Sequence, residues 1–148
     1  MRILAVDPGE KNIGLAVSDP TGTIANPLQV IKHVARAQDA AAIVRIAESV
    51  GAEEIVVGIA LDENGEIGFA ARKSVRMAEA LRAVTSLPVQ LWDESNSTET
   101  AQAARRAMGV KHARRQGHMD ELAATVILQS YLDSRNDQVE INDNALES

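Results

Sequence analysis

Two stretches of this chain are apolar along their length, and that property narrows the folds open to it more than any other. Ile3-Leu4-Ala5-Val6 and Ile55-Val56-Val57-Gly58-Ile59-Ala60-Leu61 show no alternation of polar and apolar residues. A strand built from either run must be covered on both faces. A sheet with such strands at its centre needs helices on both sides.

The rest of the pattern supplies the other layers. Pro8 to Asn12 reads as a turn and Gly14-Leu15-Ala16-Val17-Ser18 as a returning strand. Asp19-Pro20-Thr21-Gly22 has the residue order of a type I turn. A third strand is expected around Ile24 to Ile31, with Pro27 marking an edge or a bulge. Helical spacing then takes over from Ala35 to Val50, through Ile43, Ile46, Ala47 and Val50, and Gly51 provides a stop. Further helices are expected from about Ala70 to Thr85, from about Thr98 to Met108, and from near Met119 onward, with a strand at Pro88 to Trp92. The expected fold is α/β, a mixed five-stranded sheet: a three-stranded antiparallel meander, then alternating helix and strand, with helices on both faces. Residues 1–132 should form one domain and residues 133–148 an acidic, disordered tail.

Composition excludes several classes. With no cysteine in the chain there is neither a disulfide framework nor a thiolate metal site. No stretch approaches the ~20 apolar residues of a membrane span, and the opening apolar run is shorter than a signal-peptide core, so a cytoplasmic protein is expected. Trp92, Tyr131 and Phe69 are the whole aromatic content, which argues against reading single strands by base stacking and for reading backbone shape.

The net charge of −6 masks an uneven distribution. Residues 133–148 carry five acids against Arg135, a local −4 that leaves −2 for the rest. Thr100 to Met119 contains no acid but carries Arg105, Arg106, Lys111, Arg114 and Arg115. These, with Lys11, Arg72, Lys73 and Arg76, are the candidate contacts to a nucleic-acid backbone; the plainer reading of each is a solvated cation.

Four acids stand in unusual places. Asp7 ends the first buried run, where α/β sheets expose chemistry, although an Asp that merely opens a turn is common. Asp93 and Glu94 follow the strand Val89 to Trp92; because adjacent strand residues point to opposite faces, only one of them can share a site with Asp7. The alternative for that pair is dipole stabilisation of the next helix. Asp120 precedes Ala124, Ile127, Leu128 and Tyr131 by four, seven, eight and eleven residues, which puts it on the apolar stripe of the last helix. Were Asp7, Glu94 (or Asp93 in its place) and Asp120 to converge, they would form an oxygen-only site for Mg²⁺ or Mn²⁺. Two such ions can drive phosphodiester hydrolysis.

Asp7-Pro8-Gly9-Glu10-Lys11-Asn12-Ile13-Gly14-Leu15-Ala16-Val17-Ser18-Asp19 resembles the opening motif of the YqgF family, the Holliday-junction-resolvase-like pre-16S ribosomal RNA nucleases. Three further segments resemble that family in the same order: Glu54 to Leu61, Asp93-Glu94-Ser95-Asn96-Ser97-Thr98, and Asp120 to Leu132. Together they span Met1 to Asp133. The resemblance implies an RNase H-like fold, a role in maturing the 5′ end of 16S rRNA, and Asp7, Glu94 and Asp120 as active-site acids. Ser95 stands where the family usually has Arg, and Ala60 where it usually has Pro. Pre-rRNA is the expected partner, with a DNA junction as the other nucleic-acid candidate, and the chain acts as a monomer or homodimer. The competing classes are a DNA-junction resolvase and a non-catalytic RNA-binding assembly factor, the latter favoured by Ser95. A two-lobed ATPase fold needs more than 148 residues.

Overall fold

The computed structural model describes residues 1–61, 64–93 and 122–136. Strands β1 (Ile3–Pro8), β2 (Asn12–Ser18) and β3 (Ala25–Lys32) are followed by helix α1 (Arg36–Ser49), β4 (Glu54–Ile59), α2 (Phe69–Val84) and β5 (Val89–Asp93). Residues 122–136 form a further helix, here α3. The sheet order is β3-β2-β1-β4-β5. β1 pairs antiparallel with β2 and parallel with β4, while β4 and β5 are parallel. The meander and the mixed five-stranded sheet match the sequence expectation.

The two uninterrupted apolar runs are the central strands β1 and β4, and both faces are covered, as their composition requires. Leu4, Val6, Ile55, Val57 and Val89 pack with Ile43, Ala47, Met77, Ala78 and Leu81 of α1 and α2. Ile3, Ala5, Ala16 and Val56 pack on the other face with Ala124, Leu128 and Leu132 of α3. The side-chain period of two therefore separates two cores, one per sheet face.

Asp19 opens the β2–β3 turn, with Gly22 N–H donating to the Asp19 carbonyl at 3.0 Å and Gly22 at φ 71°. Its carboxylate also accepts from the backbone N–H groups of Ile24 and Thr23 at 2.9 and 2.8 Å. These donors, with the Thr21 hydroxyl, hold the Asp19 carboxyl well below the usual carboxylate range. Pro27 lies on the edge strand β3, next to a register irregularity opposite Leu15 and Ala16, which spares the ladder the missing N–H.

α3 is anchored at several points. Gln129 accepts from Ala25 N–H at 2.9 Å and donates to the Thr23 carbonyl at 3.0 Å. Trp92 donates its indole N–H to Ser130 at 3.1 Å, and its ring meets Tyr131 edge-on at 5.3 Å. At the start of β4, buried Glu54 accepts from Tyr131 at 2.8 Å and from Arg135 at 2.9 Å. The helix therefore continues to residue 136, past the expected boundary at 132, because Asp133, Arg135 and Asn136 find partners in Gln129, Glu54 and Gly22. The tail residues 137–148 lie outside the described residues.

Burial first, and then the hydrogen bond to Glu54, push the Tyr131 phenol up to about 12 from 10.0. Below pH 10 the phenol is protonated in folded and unfolded chain alike. Above it the unfolded chain releases the proton first, so this contribution to stability is lost as pH rises from 10 towards 12. Thermal melts should fall across that window, and Tyr131→Phe should fall less steeply; equal slopes would show that Tyr131 does not report on the α3 anchor.

Candidate active site and basic cleft

The parallel strands β1, β4 and β5 end at one edge of the sheet. Val6 is level with Val57, and Val57 with Leu91. One step further along, Asp7 follows Val6, and Gly58 is level with Trp92. Asp7 alternates with Ile3 and Ala5, so its side chain belongs to the face covered by α3. It is half-buried and pairs across the meander with Gly14. Asp93 alternates instead with Val89 and Leu91, on the face of α1 and α2. The sequence argument that only one of the adjacent pair Asp93 and Glu94 can share Asp7's side thus acquires a sign, and it goes against Asp93.

Gly58 places β4 under α3: a Cβ built on it would stand 2.6 Å from Ile127 Cδ1, so the terminal methyl of Ile127 occupies the space above this glycine. With Ile127 over Gly58 and Tyr131 and Arg135 at Glu54, α3 runs antiparallel to β4. Its N-terminal end therefore faces the edge where Asp7 leaves the sheet.

The turn after Asp7 is constrained just as tightly. Gly9 N–H donates to the Asn12 carbonyl at 2.9 Å, and a Cβ on Gly9 would lie 2.3 Å from that oxygen. On the α1/α2 side of this turn opens a cleft of about 460 Å³, lined by Pro8, Gly9, Glu10, Arg36, Phe69, Arg72, Lys73 and Arg76. It adjoins a smaller hollow of about 220 Å³ that Pro8, Gly9, Arg36 and Lys73 share with His33 and Met77. Behind it Asp39, 2% exposed, is bonded to His33 Nδ1 and accepts from Val34 N–H at 3.0 Å.

The structure thus brings three of the sequence candidates, Arg72, Lys73 and Arg76, into one cleft and adds Arg36 and Phe69, which the sequence reading left out. Lys11 lies on the same turn, exposed, outside the cleft lining. Glu94, Asp120, Arg105, Arg106, Lys111, Arg114 and Arg115 lie outside the described residues. Among the described residues no cluster of three metal-ligating side chains occurs, and no described helix is long and apolar enough to cross a membrane.

Comparison with known proteins bears on the same frame. A sequence model of the RuvX family, described as Holliday junction resolvase, matches residues 1–134. A protein of Symbiobacterium thermophilum named "Putative pre-16S rRNA nuclease" is 42% identical over 135 residues, covering 91% of this chain and 94% of its own. A relative of the same name in Caldanaerobacter subterraneus subsp. tengcongensis is 39% identical over 136 residues, covering 91% and 98%. Among solved structures, the Thermus thermophilus RuvC resolvase in complex with a Holliday junction substrate superposes with a TM-score of 0.62 at 18% identity, covering 93% of this chain and 96% of that one. The fowlpox virus resolvase bound to Holliday junction DNA follows with a TM-score of 0.55 at 13% identity, covering 90% and 98%. At these identities the likeness speaks to fold, and it assigns the RNase H-like architecture that the resemblance implied. By its match from the first strand through the last helix, the chain belongs to the RuvX family of Holliday junction resolvases.

Proposed function

We propose that this protein is a divalent-metal-dependent endonuclease of structured nucleic acid, acting in the cytoplasm on the 5′ end of precursor 16S rRNA, with Asp7, Glu94 and Asp120 as its acidic centre. The observation that carries this reading is the direction of α3. The helix points its N-terminal end at the sheet edge where Asp7 emerges on α3's own face, and Asp120 precedes Ile127 by seven residues, two helical repeats. Asp93 belongs to the opposite face, so Glu94 is the member of the pair assigned to the centre. The names of the relatives supply the substrate.

An oxygen-only donor set of three carboxylates fits Mg²⁺ or Mn²⁺. When bound, such ions activate a water and neutralise charge on the leaving oxygen of a phosphodiester. The remaining work falls to the chain itself. Asp7 follows the last residue of β1 paired with β4 and is itself paired with Gly14 of β2, which gives its backbone a fixed place at the sheet edge. The cations beside it hold the phosphates of the nucleic-acid strand and so orient the bond to be cut.

The test is a cleavage assay with Mg²⁺ and Mn²⁺ on precursor rRNA and on a four-way DNA junction. Cutting of the rRNA near the mature 5′ end is the expected result. Ser95, standing where the family motif usually has Arg, favours a second reading, a non-catalytic RNA-binding assembly factor. Binding without cleavage under every divalent ion would establish that reading and overturn the first.

A further inference from the structure

We propose that the cleft between the β1–β2 turn and α2 is a nucleotide subsite. It takes one unpaired nucleotide of the substrate strand, with the phosphate against Arg36, Arg72, Lys73 and Arg76 and the base against Phe69. The inference rests on the reading that the chain acts on nucleic acid, and it specifies which form of nucleic acid the site accepts.

The charge is the first ground. Among the described residues, four cations line the cleft against one acid, Glu10. Among the described residues none of the four is in an ion pair. The buried acid nearest by position, Asp39, has its two carboxylate oxygens engaged by His33 and Val34 N–H. Like charges gathered in one concavity raise the local potential and favour an anion there.

Phe69 is the second ground, and it is independent of the first. It is the one phenylalanine of the chain and is 91% exposed. The buried stripe of α2 runs through Ala71, Ser74, Met77, Ala78 and Leu81, so Phe69 contributes nothing to the core. A lone exposed apolar side chain is ordinary. An aromatic ring on the wall of a cleft lined by four cations is not, because phosphate and base are the two halves of one ligand. A cleft of about 460 Å³ also lies within the roughly 300–1,000 Å³ typical of sites that enclose a small ligand.

Topology supplies the third ground. The cleft lies on the α1/α2 side of the sheet, whereas Asp7 faces α3, and Pro8 and Gly9, which follow Asp7 directly, belong to the cleft wall. A strand held at both places must cross the Pro8–Gly9 turn, so the nucleotide in the cleft neighbours the phosphodiester at Asp7. A base stacked inside a duplex cannot reach Phe69 without leaving its stack. The preferred substrate is therefore unpaired next to the cut. A single ring suffices for this one base, because the fold exposes it beside the cations.

Binding is measured without divalent ions, so that no cutting intervenes. The probes are an RNA duplex with a single-stranded overhang carrying 2-aminopurine and a blunt duplex of equal length. Wild-type protein should quench the 2-aminopurine. Phe69→Ala should lose the quench and bind the overhang about ten-fold more weakly, while leaving the blunt duplex unchanged; Phe69→Tyr should restore both. Arg72→Gln with Lys73→Gln should weaken both probes and lower the slope of log affinity against log salt by about 0.7–0.9 for each phosphate no longer neutralised. Because Phe69 and Arg72 are exposed and Lys73 is only half-buried, the thermal midpoints should stay at the wild-type value, which separates a binding defect from a folding defect. Retained quenching and affinity in Phe69→Ala, or an unchanged salt slope in the double variant, would overturn the subsite. If wild type never cuts yet Phe69→Ala loses the overhang, the nuclease reading falls and the subsite stands; if wild type cuts and Phe69→Ala binds normally, the reverse holds.

Discussion

Asp7→Asn is expected to lower metal-dependent cleavage by at least about 10³-fold, the equivalent of some 4 kcal/mol of lost charge stabilisation at the reacting phosphate. Asn keeps the shape and hydrogen-bonding capacity of the side chain but removes the negative charge that a divalent ion requires. Asp7 is the penultimate residue of β1, and the core-facing residues of that strand, Ile3 to Val6, are untouched, so thermal unfolding should stay close to wild type. The informative pair of measurements is the single-turnover cleavage rate and the melting midpoint on the same preparation. A folded Asp7→Asn variant that cuts at the wild-type rate would remove Asp7 from the centre. It would also remove the reason for reading the edge between α3 and β1 as the site.

The largest stability effect is expected from Leu128→Ala, at about 2–5 kcal/mol with the upper half favoured. Leu128 is fully buried against the sheet face that carries Ile3, Ala5, Ala16, Ala25 and Val56. Three of these are alanines, with no long side chain to swing into the space, so much of the cavity should stay open. The same residue is one position from Ile127, whose seat over Gly58 aims α3 at Asp7. Urea titration should therefore show a lower midpoint at unchanged slope. Cleavage should be lost at temperatures where far-ultraviolet dichroism still reports native helix content. A cost below about 1 kcal/mol would mean that α3 is not part of the cooperative core.

Much of the architecture was legible because it depends on patterns that are local in the chain. The runs Ile3–Val6 and Ile55–Leu61 carry no polar face, so they had to be central strands. Pro27 had to lie at an edge or irregularity because it cannot donate to a ladder, and it does. Residues 133–136, expected to open the tail, instead continue α3 for the complementary reason. Asp133, Arg135 and Asn136 look like solvated tail in sequence, and only their partners Gln129, Glu54 and Gly22, the last two distant in the chain, make helix there worthwhile.

The candidate site divides along the same line. From the fixed periods of strand and helix the sequence by itself placed Asp7 at the end of a doubly covered strand, and it carries the expectations that Asp93 and Glu94 point to opposite faces and that Asp120 shares the stripe of Ile127 and Leu128; Glu94 and Asp120 lie outside the described residues. Which face Asp7 takes, and therefore which of the adjacent acids stands across the sheet from it, depended on where α3 docks. That docking rests on the packing of Ala124, Leu128 and Leu132 on the sheet, with Ile127 over Gly58, and on a buried Glu54 at the far end of the same strand. The meeting of Arg36, Phe69, Arg72, Lys73 and Arg76 beside the Pro8–Gly9 turn was likewise beyond sequence, because a cleft between residues 8, 36 and 69 exists only once the sheet has brought their segments together.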